Sequence, residues 1–472
     1  MSVPISTNHV SLFVMATLAA SQMSLLADIT ATKNDGVLST VRKNPGDTVT
    51  YTNVITNNGP GDATNVSYTD PDDPNAPTTG ATVTATAVAV NDTYPGTVLP
   101  NVGINTATSS NFSVVTNDFA GVAAGTPVDV TTVTLTYDAV TTNGGSVVMQ
   151  TTGANIGKFA YTPPPGFTGN DTFTYKLSTA SGTDANKTAT VTIPVGGPVI
   201  WFVNNAGGAG DGRIGSPYNS LSAFNAVNGV AGVANPKANH FVFVYESGTA
   251  YTGPVTLLNG QQLIGQDATA SIQSIASASP PADSVALPSS FSGNGTLAKI
   301  TSSGANHSVI LNSANGSNTV RGFTFGSTGT GSSISGTNFG ALTLADLSFT
   351  DTATRTGQAL ALNNGSVSGT ITNLVASSAV NGIALTSVTG SLTVSAGALS
   401  TLTGADVLIN GGTVNFSYAG TINNTSGRSI DIQSRTSGTV AFSGAITDSG
   451  TGILLNNNGT TGFTFSGGIT SN

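Results

Sequence analysis

Near the C-terminus five short apolar segments, ALAL (359–362), IAL (383–385), VLI (407–409), IDI (430–432) and ILL (453–455), recur so that Leu362, Leu385, Ile409, Ile432 and Leu455 are 23, 24, 23 and 23 residues apart. A unit of that length cannot bury an apolar side by itself, so copies must stack on one another, and the chain becomes a solenoid.

The segments are followed by Asn363, Thr386, Asn410, Gln433 and Asn456, so an amide or hydroxyl ends the strand at the same point in every coil. A second strand then starts at a glycine, reading GTIT (369–372), GSLTV (390–394), GTVNF (412–416), GTVAF (438–442) and GFTF (462–465). Two apolar strands per coil, with length variation confined to turns, predict a parallel β-helix. VIL (309–311), TVRGFTF (319–325) and ALTLADLSF (341–349) extend the stack upstream, because Leu311 and Leu362 are 51 residues apart, about two periods. Six to eight coils are expected. All 20 prolines lie before residue 289. A proline removes a ladder hydrogen bond, so their absence from 289–472 fits uninterrupted sheets.

At 472 residues the chain has room for two to four domains. Charged residues are only 7%, and there are 58 glycines. The recurring Val, Ile, Leu and Phe argue for an ordered chain rather than a low-complexity one. Acidic residues outnumber basic ones 22 to 13, and no Lys/Arg cluster could neutralise a run of phosphates, which disfavours nucleic acid. With no cysteine, stability rests on burial and backbone ladders. The stretch 10–20 (VSLFVMATLAA) is too short to span a bilayer and reads as the apolar region of a signal peptide over 1–27, with Asp28 first in the mature chain. Residues 1–9 lack the usual Lys or Arg, so a truncated or unusual leader is the alternative.

From Asp28 to about 85, short strands alternate with turn chemistry such as NPGD (44–47) and NNGPGD (57–62). The run NPGDTVTYTNVITNNGPGDATNVSYTD (44–70) resembles the conserved immunoglobulin-like repeat domain of large bacterial cell-surface proteins, which implies a small β-sandwich spacer without catalytic residues. The pattern departs after Asp70, where DPDDPNAPTTG (70–80) replaces a longer second half. Residues 86–196 open with AVNDTY (89–94) and close with GKFAYTPPPGFTGNDTFTYKLS (157–178) and TATVTIPV (188–195). This segment resembles the cadherin-like, immunoglobulin-like tandem repeats of bacterial exoproteins. In many of those repeats an acidic loop suggests calcium. Here 117–130 keeps only Asp118 and Asp129, so calcium is not carried over to it.

The third segment begins at VIWFVNN (199–205). Ser216 as N-cap, Pro217 at the first helical position and an apolar stripe of Leu221, Phe224 and Val227 predict a short amphipathic helix that caps the open end of the solenoid. Together with FVFVYESGTAYTG (241–253) and LLNGQQLIGQ (257–266), this stretch resembles the N-terminal coils of pectin-lyase-like parallel β-helices in bacterial surface proteins.

Motifs that carry chemistry are few. GDGRIG (210–215) is formally a dinucleotide fingerprint, but the next acidic residue, Glu246, lies inside a β pattern, so it reads as a turn. GANIGK (153–158) is one residue short of a phosphate loop and places Phe159 where Ser or Thr would hold magnesium, so it reads as a hairpin turn. A sugar-cleaving enzyme on this scaffold needs paired carboxylates. Asp346, Asp351, Asp406, Asp431 and Asp448 are the only acids after 289, each alone in its strand or turn. Asp406 and Asp431, 25 residues apart, could lie on adjacent coils, but the alternation of their strands points both toward solvent. Arg321, Arg355, Arg428 and Arg435 likewise read as surface residues. His9, His240 and His307 show no metal-ligand spacing. The densest acid cluster, Asp70, Asp72 and Asp73, is the one weak calcium candidate against an ordinary solvated turn.

These readings predict an all-β exported bacterial surface protein: a signal peptide (1–27), two immunoglobulin-like β-sandwich domains (28–85 and 86–196) and a right-handed parallel β-helix (197–472) with a short N-terminal capping helix. No catalytic or cofactor-binding residue is assigned. The expected role is adhesive or structural, with glycans or other cell-surface proteins as partners. An outer-membrane anchor beyond residue 472, if the strand pattern continues, and end-to-end self-association are further expectations. The rivals are a polysaccharide lyase or glycoside hydrolase on the same fold, and a filament or surface-layer component.

Overall fold

The computed structural model describes residues 29–34, 52–57, 87–110, 112–120, 133–179, 188–266, 268–289, 298–311, 316–350, 356–377 and 379–471. The segment expected to be a signal peptide and Asp70, Asp72 and Asp73 lie outside them. Of the first expected sandwich, only one antiparallel pair is described, Ile29–Asn34 with Thr52–Asn57.

From Ile200 onward, 21 strands form one continuous parallel ladder. It folds into three walls around a single core, and a regular coil contributes to them in the order first, second, third. The second wall counts the coils. Trp201, Val242, Leu263, Val320, Leu344, Gly369, Leu392, Phe416, Val440 and Phe463 are successive partners, ten levels that close nine turns. The first wall carries the repeat seen in the sequence: Leu362, Leu385, Ile409, Ile432 and Leu455 pair in register. Upstream, Leu311 pairs with Gly336 and Gly336 with Leu362, the two periods expected.

The sequence predicts two strands per coil, and the structure has three. The third wall runs through Leu399, Ile422, Ile446 and Ile469 in register. Its strands GALS, TINN and ITD turn one apolar side chain inward each, too little for a periodic signal. Inward side chains stack from coil to coil; the rings of Phe325 and Phe349 lie 4.9 Å apart and nearly parallel.

The capping helix is Leu221–Val227, and its buried stripe of Leu221 and Phe224 is the expected one. Its N-cap is Ser220, whose hydroxyl accepts from Ala223 N, rather than Ser216. Ser216 instead closes the GDGRIG turn, where Asp211 N and Gly212 N donate to Ser216 O. Gly212 is required there: a Cβ would sit 2.3 Å from the Tyr218 ring and 2.6 Å from Trp201. The helix packs on Tyr251–Thr252 and Val255–Leu257, the first strands of the third and first walls, and stands in for the missing level above them.

The described residues between 87 and 195 form small, mainly antiparallel sheets, with Asp92–Thr93 added parallel to Thr188–Val195, around their own core, which includes Val114, Leu135, Phe159, Tyr161, Phe173 and Val191. GANIGK is the turn between Ser146–Met149 and Phe159–Thr162, which pair antiparallel. This unit is fused to the solenoid. Leu99 and Val102 pack with Ile200, Phe202, Phe243 and Ile264 on the outer side of the second wall, together with Ile272 from the 266–289 excursion. Asn101 Nδ2 donates to Ile200 O at 3.0 Å, Asn105 N to Asp283 O at 2.8 Å, and Arg213 Nη1 to Pro163 O at 3.2 Å. The strands IWFV (200–203) and FVFV (241–244) are apolar at every position because both sides are covered.

Candidate functional site: a polar stripe along the coils

The residue that ends each first-wall strand is polar in six successive coils: Thr337, Asn363, Thr386, Asn410, Gln433 and Asn456 are partners in register. Next to them Asn338, Asn364, Ser387, Gly411, Ser434 and Asn457 all have φ between 51° and 70°. That left-handed turn swings the chain around the corner, and Asn, Ser and Gly tolerate it best. The two columns are exposed or half-buried and uncharged, and they repeat once per inter-strand spacing of about 4.8 Å. Asn364 Nδ2 donates to Asn338 Oδ1 at 2.6 Å, so neighbouring coils are also tied to each other through the stripe. Amides and hydroxyls both donate and accept, which suits a long polyhydroxylated partner.

Immediately after the left-handed residue the chain turns inward. In this corner column Phe339, Val388 and Arg435 are buried, and Gly365 and Gly412 stand between them. Glycine is forced: a Cβ on Gly365 would meet the Phe339 ring at 2.6 Å, and one on Gly412 would meet Val388 O at 2.1 Å. Arg435, expected on the surface, is therefore interior.

The acids of the coils do not assemble into a pair in an open groove. Asp346 is bridged by Arg321 at 2.7 Å and accepts from Thr269 N at 3.2 Å. Asp431 lies beside Arg428 and accepts from Gln433 Nε2 at 2.6 Å. It stacks on Leu408, not on Asp406. Asp406 corrects the expectation of solvent exposure, since it is fully buried with neither carboxylate oxygen hydrogen-bonded. It precedes the flat part of its strand, where the corner breaks the in-out alternation, and so it points inward. Burial pushes its pKa up to about 7, against a lowering by the neighbouring Asn424 amide and with a further push from the charge of Asp448. Asp448 accepts from Ser429 N and Oγ, Gly450 N and Gly452 N, and these bonds hold its carboxyl below the usual range despite burial. The pair thus divides into a proton holder and an anion. Asp351 and Arg355 lie outside the described residues.

His240 Nδ1 accepts from Trp201 Nε1 at 2.9 Å and Lys237 N at 3.1 Å, and burial, with the nearby Lys237 charge, lowers its pKa to about 4. His307 Nδ1 accepts from Ser332 N. Among the described residues no three His, Asp or Glu gather as a metal site. A cleft of about 450 Å³ beside the capping helix is lined by Asn205, Ser222, Asn225, Tyr251 and others, and a second of about 360 Å³ lies between Gly166, Val233 and His240. No carboxylate lines either one.

In the preceding unit Asp118 meets Asp92 at the Tyr175 hydroxyl, which has Asp118 Oδ1 at 2.8 Å, Val114 O at 2.9 Å, Val90 O at 3.0 Å and Asp92 Oδ2 at 3.1 Å around it. One hydroxyl has one proton for four acceptors, so a carboxyl must supply another. Burial raises Asp92 to about 7 and Asp118 to about 6, in keeping with that count. Sequence reading left these two acids apart because 26 residues separate them.

No family model, curated protein or solved structure matches the chain. The chain folds into a β-solenoid of about nine turns bearing an uncharged polar stripe.

Proposed function

We propose that this is an exported, non-enzymatic bacterial surface protein whose rod binds glycans, or polyhydroxylated neighbours on a cell surface, through many weak hydrogen bonds along the stripe. The observation that carries this reading is the in-register column from Thr337 to Asn456 with its left-handed companion. Each coil repeats the same donor and acceptor set, so an extended ligand gains affinity by length rather than at one pocket. Asp346 and Asp431 are ion-paired, and Asp406 and Asp448 are buried away from any open groove, which supports a binding role over a hydrolytic one. In this reading residues 28–196 form immunoglobulin-like spacers that hold the rod away from its attachment.

The test is a glycan array probed with the full chain, because residues 87–195 pack onto the solenoid, alongside a polyuronate-degradation assay with and without calcium. Binding without turnover, weakened at least about tenfold by the triple change Asn363→Ala, Asn410→Ala and Asn456→Ala, is the expected result. Release of unsaturated or reducing ends would sink the proposal in favour of the enzyme.

A further inference from the structure

Residues 87–94 enter the unit that precedes the solenoid, and little backbone pairing holds them. Ala87–Val88 pairs antiparallel with Phe119–Ala120 over two residues, and Asp92–Thr93 pairs parallel with Val191–Thr192 over two more. Between these short pairs the segment is fastened by side chains that meet at the Tyr175 hydroxyl, on the long strand Gly169–Thr179. Asp92 brings Oδ2 to that hydroxyl and Asp118 brings Oδ1, which also accepts from Val90 N at 2.8 Å.

The number of protons decides whether this cluster holds. The tyrosine has one O–H to give, and Asp118 Oδ1, at 2.8 Å, is its nearest acceptor. Asp92 Oδ2, at 3.1 Å from the same oxygen, then bonds to it only by carrying a proton and donating it. With both carboxyls ionised, two buried anions face a single O–H, and among the described residues no salt bridge involves either of them. Nor does another titratable group among the described residues join from the surrounding elements. Tyr94 is turned to Asp283, Thr188–Val195 contains none, and Lys176 is exposed on the opposite side of its strand from Tyr175. Burial above all raises both carboxyls, Asp92 to about 7 and Asp118 to about 6.

We propose that Asp92, Asp118 and Tyr175 form a proton-held clasp: while the two carboxyls share a proton through the tyrosine, residues 87–94 stay fastened to the unit, and loss of that proton releases them. An open segment gives up the proton at the ordinary carboxylate value of 3.8, so closure is favoured most in acid and weakens as pH rises from there toward 7. Within that window each proton held changes the closing equilibrium by up to about tenfold per pH unit. The clasp makes no use of the stripe along the coils.

Hydrogen exchange of the full chain, read by mass spectrometry and corrected for the intrinsic pH dependence of exchange, tests it. Peptides covering 87–94 are expected to lose at least about tenfold in protection between pH 5 and pH 7.5, while 146–149, in the other sheet of the unit, changes less than about threefold. Asp92→Asn, whose amide can donate to the tyrosine oxygen at any pH, is expected to keep its pH 5 protection at pH 7.5. Protection over 87–94 that stays level or rises with pH in the wild-type chain overturns the proposal, as does an equal fall over 146–149 or a fall of the same size in Asp92→Asn. The wild-type series needs no variant, so it decides even if Asp92→Asn folds poorly.

Discussion

Between Trp201 and Val320 the second wall gains three levels over 119 residues, whereas between Val320 and Phe463 it gains six over 143. The surplus chain in the first part forms the capping helix and the 266–289 excursion, and both cover apolar surface: Leu221 and Phe224 lie over the core, and Ile272 lies on Phe202, Phe243 and Ile264. From Arg321 onward the hydrogen bonds between that excursion and the outer side of the second wall are those of Thr269 with Arg321 and Asp346, so among the described residues little extra chain is needed. Regular spacing in this protein therefore marks coils that stand alone, and irregular spacing marks the place where another unit is joined.

The contrast breaks most visibly at the covered wall. Phe243→Ala empties a site buried on the outer side by Leu99 and Ile264, and denaturant unfolding is expected to show a loss of about 3–5 kcal/mol. The outer-side change Thr439→Ala is expected to stay within about 0.5 kcal/mol. Similar losses at both positions would refute the comparison.

Next in size is the buried carboxyl of the regular part. Asp406 has its folded-state pKa raised to about 7 from an ordinary 3.8, so between those values the folded chain holds a proton that the unfolded chain has released. Stability from this group is greatest at low pH and falls as pH rises through that window, by at most roughly 1.4 kcal/mol per pH unit. Asp92 and Asp118 push the same way in the N-terminal unit. Asp406→Asn is expected to flatten part of this slope and to add roughly 2 kcal/mol at pH 8, with little change at pH 4. Unfolding curves at the two pH values check it, and an unchanged slope would remove Asp406 from the account.

The smallest test probes the corner itself. Asn364→Val puts a β-branched residue at φ 57° and removes the bond to Asn338, with an expected cost of about 1–2 kcal/mol, whereas Asn364→Gly should cost only a few tenths. A calorimetric melt that ranks glycine below valine would show that the backbone turn does not govern the corner.

Much of this architecture was legible. The first wall, its polar ending column and the helical stripe of Leu221 and Phe224 all follow from spacing, since they repeat the same demand at fixed intervals. The third wall was hidden because Leu399, Ile422 and Ile446 stand alone among Ser, Thr and Asn, although they too recur at 23 and 24 residues. Asp406 was misplaced because alternation holds along a flat strand and fails at a corner, where consecutive residues can point the same way, and Arg435 because the absence of neighbouring acids in the sequence says nothing about burial. The doubly covered strands IWFV and FVFV did carry a signal, since an unbroken apolar run asks for cover on both sides.

The coil period also sets how the protein would respond to being stretched. A coil of 23 residues advances the rod by one inter-strand spacing, roughly 4.8 Å, yet contains on the order of 75–80 Å of chain when drawn straight. Inter-coil hydrogen bonds run along the rod axis, so tension on the last strand peels one coil while the ladder behind it keeps its register. The solenoid is in this sense a spool, able to let out tether in nearly equal lengths, one coil at a time.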